Sequence, residues 1–392
     1  MRTEPGHPTH GGVATHGARS TGRDGRQCSF STLSGRTQQN IIAPNFWPGG
    51  ACRESILWAA ITPASEVSPA CFVAPPTAEW KHALSKVEAF TVFVHPCDPN
   101  LVFAGTADGV YRSTDRGQNF RRADFPDRGV QIWSFLQDDT DPMSMLAGGS
   151  PVSIYSSDDG GASWKRAPNP HLPVHAKMPF PCRVMRFARH SRRHGEIFAV
   201  LEVSGVIRST DGGHSWSHFS ADLLRLAETE PRLHSKLVSD TEAEGMLDGH
   251  AVCASSADPD SIIIAVRMGL FRRRDQGKTW QDMQVDHFSP FTYGRDIKVS
   301  PQDPNTLYAC LIAASSKDAA LYGSQDVGKT WQRFDKVTPH GTLMVGLHHG
   351  DAKQIYVAAR YGEVFGTQDG GESWFEIPLP QGVQHIYALA CR

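Results

Sequence analysis

Short apolar runs of four to six residues alternate along the chain with turns that contain Gly, Pro or Asp. One series begins with Phe90-Thr-Val-Phe-Val-His95, continues with Leu101-Val-Phe-Ala-Gly-Thr106 and reaches Val110-Tyr-Arg-Ser113. A turn and a fourth short run follow, and the same order recurs between Asp296 and Phe334. Runs of this length, rich in β-branched and aromatic residues and separated by breakers, predict units of four short β-strands.

One eight-residue segment occurs six times, each time between the third and fourth run of a unit. Its third residue is Asp and its fifth is Gly in all six copies, and its last residue is always aromatic. Ser or Thr opens five copies and precedes the aromatic residue in five. The copies, called the repeat turns below, are Ser113–Phe120, Ser157–Trp164, Ser209–Trp216, Arg273–Trp280, Ser324–Trp331 and Thr367–Trp374.

Each constrained position of the repeat turns has a structural purpose. A short Asp side chain accepts backbone N–H groups within a tight turn, and the opening hydroxyl can bond the same backbone. Gly adopts the positive φ that other residues resist. The aromatic residue leaves the turn on the fourth strand and buries roughly 150–250 Å² of surface. We therefore interpret the segment as a hairpin turn without a chemical role.

The pattern Ser-x-Asp-x-Gly-x-Thr/Ser-Trp resembles the Asp-box, or BNR, repeat. Families that carry this repeat include sialidases, xyloglucanases, sortilin-type receptor domains and the photosystem II assembly factor. The resemblance covers about residues 52 to 392 and implies an all-β propeller with four strands in each blade. It is nearly silent about activity, since glycosidases and pure binding proteins both belong to the group.

The number of blades follows from the spacing of the repeat. Successive Asp residues of the repeat turns lie 43 to 64 residues apart, which is the length of a propeller blade. Val383–Cys391 resembles an inner strand with nothing after it, and residues 56–61, 70–73 and 79–82 resemble the other three strands of a blade. We expect one propeller over residues 51–392, seven-bladed and closed by pairing of the N- and C-terminal strands, with six blades as the alternative.

The composition of the chain excludes some classes of binding partner and indicates a cellular location. The 39 Lys and Arg residues against 41 Asp and Glu give a formal net charge of −2, which argues against binding to nucleic acid or to an anionic membrane. No apolar run approaches the roughly 20 residues that span a bilayer. The eight cysteines contain no Cys-x-x-Cys pair, which favours a reducing, cytoplasmic location. We expect a monomer, with residues 1–50 as a largely disordered N-terminal extension.

The candidate functional face is opposite the repeat turns. The resemblance to Asp-box propellers implies that this face gathers around the central channel and holds the ligand. The longest insertions, residues 167–182, 220–249 and 286–295, are expected on it. Long loops in compact domains are more often functional than idle. A short helix is predicted over Asp222–Glu228, within the longest insertion.

Acidic, basic and aromatic residues of these loops, of the short hairpins and of the starts of the inner strands are expected to meet at the channel mouth. The catalytic candidates are Asp248, His250, Glu244 and Tyr293. The substrate-binding candidates are Arg267, Arg295, Arg360, Arg183, Trp133 and His175. Glu202 and Glu242 are further carboxylates expected on this face. Asp248 and His250 are preferred because they stand two residues apart where a loop enters an inner strand.

These residue types suit acid–base chemistry on an anionic substrate. Guanidinium groups clamp carboxylates, and Glu or His side chains exchange protons with a reacting group. The leading hypothesis is a hydrolase or lyase that acts on a polar or anionic small molecule or glycan. A true sialidase is disfavoured, because the Arg-Ile-Pro signature that this resemblance implies near the N-terminus is absent from the sequence.

Two other functions stay open. One is a non-catalytic binding or assembly scaffold that presents its loops to a protein partner. The other is a metal-dependent enzyme, for which the candidate ligands are His175, His250, His385 or the His348-His349 pair. The chain has no His-Glu-x-x-His motif, but ligands in a propeller would come from separate blades. No cofactor is predicted, and a divalent metal is left open.

Overall fold

The computed structural model describes residues 57–63, 70–74, 80–85, 87–173, 176–274, 279–313, 318–335, 342–359, 362–379 and 383–392. The predicted extension over residues 1–50 lies outside this part of the chain. The described strands form seven four-stranded antiparallel sheets, so the predicted all-β propeller architecture is confirmed. No helix within these ranges is long and apolar enough to cross a bilayer, and the cytoplasmic location stays a prediction.

Six sheets are blades made from four consecutive strands, which follow three strands near the N-terminus. Those three are β1 (Leu57–Pro63), β2 (Ala70–Ala74) and β3 (Lys81–Leu84). Blade 1 contains β4 (Ala89–Val94), β5 (Val102–Thr106), β6 (Gly109–Ser113) and β7 (Arg121–Arg122). Blade 2 contains β8 (Gln131–Gln137), β9 (Met145–Ser150), β10 (Ser153–Ser157) and β11 (Lys165–Arg166). Blade 3 contains β12 (Val184–Arg189), β13 (Ile197–Leu201), β14 (Gly205–Ser209) and β15 (Ser217–His218).

The other three blades repeat this order, with the first strand innermost. Blade 4 contains β16 (Gly249–Cys253), β17 (Ser261–Val266), β18 (Gly269–Arg274) and β19 (Gln281–Asp282). Blade 5 contains β20 (Tyr293–Val299), β21 (Leu307–Ile312), β22 (Ala319–Ser324) and β23 (Gln332–Arg333). Blade 6 contains β24 (Thr342–Leu347), β25 (Ile355–Ala359), β26 (Glu363–Thr367) and β27 (Phe375–Ile377).

The two ends of the described chain share the remaining sheet, called the composite sheet. Its innermost strand, β28 (Val383–Cys391), pairs antiparallel with β1, and the sheet continues through β2 to β3. β28 also packs against the inner strands of blades 1 and 6. The expected seven-bladed propeller is therefore corrected. Six blades are built from consecutive strands that each include a repeat turn, and a composite sheet without a repeat turn stands between the first and the last.

The repeat turn of blade 3 has the hydrogen bonds that its residues predict. In blade 3 the hydroxyl of Ser209 donates to Asp211 at 2.7 Å and accepts the backbone N–H of Gly213 at 2.8 Å. Asp211 also accepts the backbone N–H of Ser215 at 2.9 Å, and the indole N–H of Trp216 donates to the Gly213 carbonyl at 3.0 Å. These bonds all lie within the turn, which explains why the sequence alone predicts it.

The aromatic residue of a repeat turn packs between blades. Trp164 of blade 2 is buried in a cluster that also holds Phe103 of blade 1 and Phe135 of blade 2. Gly161, at φ 76°, lies so close to this cluster that a Cβ atom would approach Phe103 to 2.3 Å. Only Gly fits there, because both the backbone conformation and the space exclude a side chain.

Among the described residues, helical structure occurs only in or beside the two insertions that precede blades 4 and 5. The helix predicted over Asp222–Glu228 is confirmed as α1 (Ala221–Thr229). A single turn, α2 (Glu244–Leu247), leads directly into β16, and two 3₁₀ turns occupy Pro231–Leu233 and Val285–His287. α1 and α2 contact each other, so the longest insertion folds back on itself before it enters blade 4.

Candidate functional site

The inner strand of every blade carries a β-bulge near its start. In blade 4, Gly249 pairs with Val266 and Ala251 pairs with Ala265, so the intervening His250 has no partner in the register. Bulges change the direction of a side chain and are common beside functional sites. The bulged residues of blades 1 to 6 are Phe90, Trp133, Met185, His250, Arg295 and Leu343, and β28 has two, Gln384 and Tyr387.

One side of the channel mouth is aromatic. The rings of Phe90 and Trp133 are stacked with centroids 4.3 Å apart, and the edge of Tyr387 meets both rings. The guanidinium of Arg183 lies 4.0 Å from the centroid of the Trp133 ring. Two groups so close to one ring must cover opposite faces. A ligand can therefore reach Trp133 only at its edge.

The other side of the mouth is polar and is centred on Asp248, which is 2% exposed. Its Oδ2 accepts Nη2 of Arg267 at 2.7 Å and lies 3.4 Å from Nε2 of His250. Burial alone would raise the pKa of Asp248, but His250, Arg267 and Arg295 together hold it well below its usual range. Asp248 is therefore ionised throughout the physiological range.

His250 connects Asp248 to the next blade. Burial and the charge of Arg295 lower the pKa of His250 to about 4, against the opposing effect of Asp248. The imidazole is thus neutral near pH 7. Nη1 of Arg295 lies 3.0 Å from Nδ1 and 3.2 Å from Nε2 of the imidazole, and Nε2 lies 3.4 Å from the Asp248 carboxylate. A neutral imidazole that donates from Nε2 to Asp248 accepts the Arg295 bond at Nδ1.

Tyr293 completes this cluster. Its hydroxyl accepts Nη1 of Arg295 at 3.1 Å, and its ring lies 4.7 Å from the guanidinium carbon of Arg267. Burial raises the pKa of Tyr293, although Arg295 opposes the shift. The phenol is therefore protonated near pH 7 and keeps a hydrogen to donate.

A second ion pair lies at the equivalent place in blade 3. Arg183 precedes β12 and Glu202 follows β13, and Nε of Arg183 lies 2.5 Å from Oε2 of Glu202. Burial raises the pKa of Glu202, the positive charge of Arg183 opposes this, and the negative charge of Asp248 adds to it. The net effect is a raised pKa. The influence of Asp248 and Arg295 on Glu202 shows that the two ion pairs belong to one electrostatic cluster.

The structure brings together most of the predicted site residues. Those that join the channel-mouth cluster are Asp248, His250, Tyr293, Arg267, Arg295, Arg183 and Trp133. The candidates His175 and Arg360 lie outside the described residues. Glu202 was expected on this face but not in the catalytic set. The sequence feature that could have identified Glu202 is its position directly after the second strand of blade 3. Arg267 holds the same position in blade 4.

Glu244 has a different environment from the one expected of a catalytic group. Its Oε2 accepts the backbone N–H groups of Leu237, Val238 and Ser239 at 2.8–3.0 Å and the Ser239 hydroxyl at 2.7 Å. Burial would raise the pKa of Glu244, but these donors lower it. Its carboxylate is thus occupied by the loop that precedes α2.

The described residues contain no group of three or more His, Cys, Asp or Glu side chains arranged to hold a metal ion. The cluster has one imidazole, and three guanidinium groups surround its two carboxylates. A cation would be repelled here, whereas an anion would be attracted. The polar half of the channel mouth can therefore bind negative charge and exchange a proton through Glu202.

The chain is similar in fold to several proteins of known structure. No family model matches the chain, and no curated protein matches it. The GH74 xyloglucanase from Xanthomonas campestris has a TM-score of 0.57 and 17% identity, over 86% of this chain and 53% of that protein. An ancestral GH74 enzyme has a TM-score of 0.53 and 14% identity, over 86% of this chain and 48% of that one.

A smaller protein is also similar. YCF48 from Cyanidioschyzon merolae has a TM-score of 0.50 and 17% identity, over 79% of this chain and 90% of that protein. The chain spans about half the length of the two GH74 enzymes. At these identities the likeness shows a β-propeller fold and no more.

Proposed function

We propose that this chain is an Asp-box propeller that hydrolyses a polar, anionic small molecule or glycan at the channel mouth. The observation that carries the proposal is the contrast between Glu202 and Asp248, two neighbouring carboxylates whose pKa values are shifted in opposite directions. Environments that separate two carboxyl groups in this way mark an acid and a permanently ionised partner. Glycoside hydrolysis commonly uses such a pair.

The roles follow from the protonation states. Glu202, with its raised pKa and a side chain that is 18% exposed, donates a proton to the leaving-group oxygen as the bond between that oxygen and the sugar carbon breaks. Water then bonds to the same carbon, and its released proton restores Glu202. Asp248 stays ionised, orients Arg267 and His250, and places a negative charge beside the positive charge that develops at a reacting sugar carbon. Tyr293 supplies a phenol donor to a substrate oxygen.

The charge balance supports an anionic substrate. Three guanidinium groups, those of Arg183, Arg267 and Arg295, face the carboxylates of Glu202 and Asp248, which leaves an excess of positive charge. Arginine forks bind carboxylates in a bidentate manner. We therefore expect uronate-containing or otherwise acidic substrates to be preferred over neutral ones.

The experiment compares wild type with Glu202→Gln and with the matched control Glu242→Gln, whose side chain is exposed. All three are incubated with acidic oligosaccharides, neutral β-glucans and aryl uronides, and new reducing ends or aryl groups are measured. Wild type and the control should hydrolyse an acidic substrate, and Glu202→Gln should be slower by about 100-fold or more. Equal rates for Glu202→Gln and wild type, or no hydrolysis by wild type, would contradict the proposal.

A scaffold function is the second candidate, and one observation favours it. Leu237 and Val238 are 59% and 58% exposed, although the backbone beneath them is held by Glu244. An ordered loop with an exposed apolar tip suits contact with a protein partner. Leu237→Ser with Val238→Ser should abolish partner capture while leaving hydrolysis unchanged, which separates the two functions.

A further inference from the structure

A cavity of about 310 Å³ lies within the central channel, beyond the ring of bulged residues. Its wall comes from the inner strands of blades 1, 2, 3, 5 and 6 and from β28. On each inner strand these residues follow the bulge toward the C-terminal end, which is the side of the repeat turns. The cavity is therefore distinct from the channel-mouth cluster, whose residues lie at or before the bulges.

Three cationic side chains line this cavity and no carboxylate does. They are Arg186 of blade 3, Lys298 of blade 5 and Arg392 after β28, and His349 also contributes to the wall. The carboxylate of Asp296 lies beside one of them, with its Oδ2 3.9 Å from Nζ of Lys298. Asp296 also accepts the backbone N–H of Val345 and keeps its negative charge, so it offsets the charge of Lys298, whereas Arg186 has no such carboxylate beside it among the described residues.

The cations differ in how they are held. Lys298 donates to the Val345 carbonyl, and Arg392 donates to the carbonyl of His95 at 2.7 Å and to that of Pro96. Arg186 forms no hydrogen bond or ion pair with any other residue in the described part of the chain. Arg186 is thus the one of the three cations whose donors are free to bind an anion in the cavity.

Most of the remaining wall is apolar. Val94, Phe135, Val299 and Leu347 line the cavity together with alanines of β28. The volume is at the lower end of the range for small-molecule sites. A ligand that satisfies this wall carries negative charge on one part and apolar surface on another.

We propose that this cavity binds a small organic dianion, with Arg186 as the residue that selects it. The shared chemistry of the ligand is two negative charges on carboxylate or phosphate groups attached to a short carbon frame. Lys298 and Arg392 are positioned by backbone carbonyls, and Arg186 supplies the charge that has no partner within the described residues. This site is independent of the hydrolytic function proposed for the channel mouth.

The test measures the melting temperature of the whole chain with increasing succinate, phenyl phosphate or inorganic phosphate, each matched to sodium chloride in ionic strength. Wild type should gain at least about 2 °C with a dianion over chloride. A larger gain with succinate identifies carboxylates, and a larger gain with phenyl phosphate identifies a phosphomonoester. No gain over chloride with any of the three would overturn the proposal.

Three variants locate the effect. Arg186→Gln should lose the gain, and without a dianion it should melt at or above the wild-type temperature, because it removes one of three like charges. Arg186→Lys should keep part of the gain. The control Arg128→Gln, at a side chain that is 82% exposed, should behave as wild type. A gain in Arg186→Gln equal to wild type, or its unfolding without a dianion, would overturn the assignment of Arg186.

Discussion

Glu202 and Arg267 occupy the same position in neighbouring blades and carry opposite charges. Each follows the second strand of its blade, and each donates its backbone N–H to the residue that precedes the inner strand. Their side chains then pair with that same residue, Glu202 with Arg183 and Arg267 with Asp248. Equivalent backbone positions thus hold two ion pairs of reversed polarity. The pKa of Glu202 is raised by its burial and by the charge of Asp248, whereas His250, Arg267 and Arg295 together lower the pKa of Asp248.

Removal of Arg267 should be costly, because Asp248 is almost completely buried. Arg267→Met should lower the free energy of unfolding by about 3 kcal/mol, since it leaves a buried charge without its main partner. The double variant Asp248→Asn with Arg267→Met should recover part of this loss. Urea denaturation measures the free energy of unfolding of both variants.

The matched control is Arg274→Met. Arg274 pairs with Asp258 at 3.2 Å, but its side chain is 43% exposed, so the loss should stay below about 1 kcal/mol. If Arg267→Met were no more destabilising than Arg274→Met, Asp248 would not depend on this ion pair.

His250 should make stability depend on pH in the acid range. Its pKa falls from 6.5 to about 4 on folding, so the unfolded state binds more protons between these values. The stability that the neutral imidazole contributes is fully present above pH 6.5 and is lost as the pH falls toward 4. Asp248, Arg267, Arg295 and Tyr293 face His250, and of these only the Asp248 carboxylate attracts the added proton.

The measurement is the melting temperature of wild type, His250→Gln and the exposed control His171→Gln from pH 7 to pH 4.5. The melting temperatures of wild type and of the control should fall by the same amount. The melting temperature of His250→Gln should fall less between pH 7 and pH 4.5, whatever the stability of this variant at pH 7. A steeper fall in His250→Gln than in wild type would show that His250 is protonated in the folded state.

The parts of the fold that the sequence predicts are those that depend on local bonds. The repeat turns and α1 were predicted because their hydrogen bonds join residues within one turn of the chain. The blade count needed correction, because the sheet shared by the chain ends has no repeat turn and depends on the pairing of β1 with β28. The pairing itself was predicted, because Val383–Cys391 resembles an inner strand with nothing after it and residues 56–61 resemble an outer strand of an incomplete blade.

The candidate site shows the same limit. His250 and Arg295 could be selected because both stand at the start of an inner strand, and the bulges then direct them to one place. Glu244 was selected for its residue type and its loop, but the loop itself uses its carboxylate. The raised pKa of Glu202 depends on burial and on Asp248, which no sequence pattern reports.

The repeat turns should contribute stability and no chemistry, and adjacent aspartates in blade 2 allow a direct comparison. Asp159 accepts the backbone N–H groups of Ala162 and Ser163, whereas Asp158 only meets Lys165 at 3.5 Å on the surface. Asp159→Ala should cost about 1–3 kcal/mol of unfolding free energy, and Asp158→Ala should cost below about 0.5 kcal/mol. Equal effects in thermal denaturation would contradict the structural role.

Glu244 should stabilise its loop without taking part in hydrolysis. Glu244→Ala should increase hydrogen exchange at the amides of Leu237, Val238 and Ser239, because it removes their common acceptor. Glu242→Ala, at an exposed neighbour, should leave exchange at these amides unchanged. Unchanged protection in Glu244→Ala would show that the loop is held by other contacts.

The pKa contrast between Glu202 and Asp248 can be measured without knowledge of the substrate. The protein is labelled with ¹³C at the side-chain carboxyl carbons of Glu and Asp, and the signal of Glu202 is assigned by its loss in Glu202→Gln. On titration, Glu202 should become protonated at a pH above the ordinary Glu value of 4.5, while Asp248 remains ionised below the ordinary Asp value of 3.8. Titration of Glu202 at or below 4.5 would contradict the assignment of an acid and an ionised partner at the channel mouth.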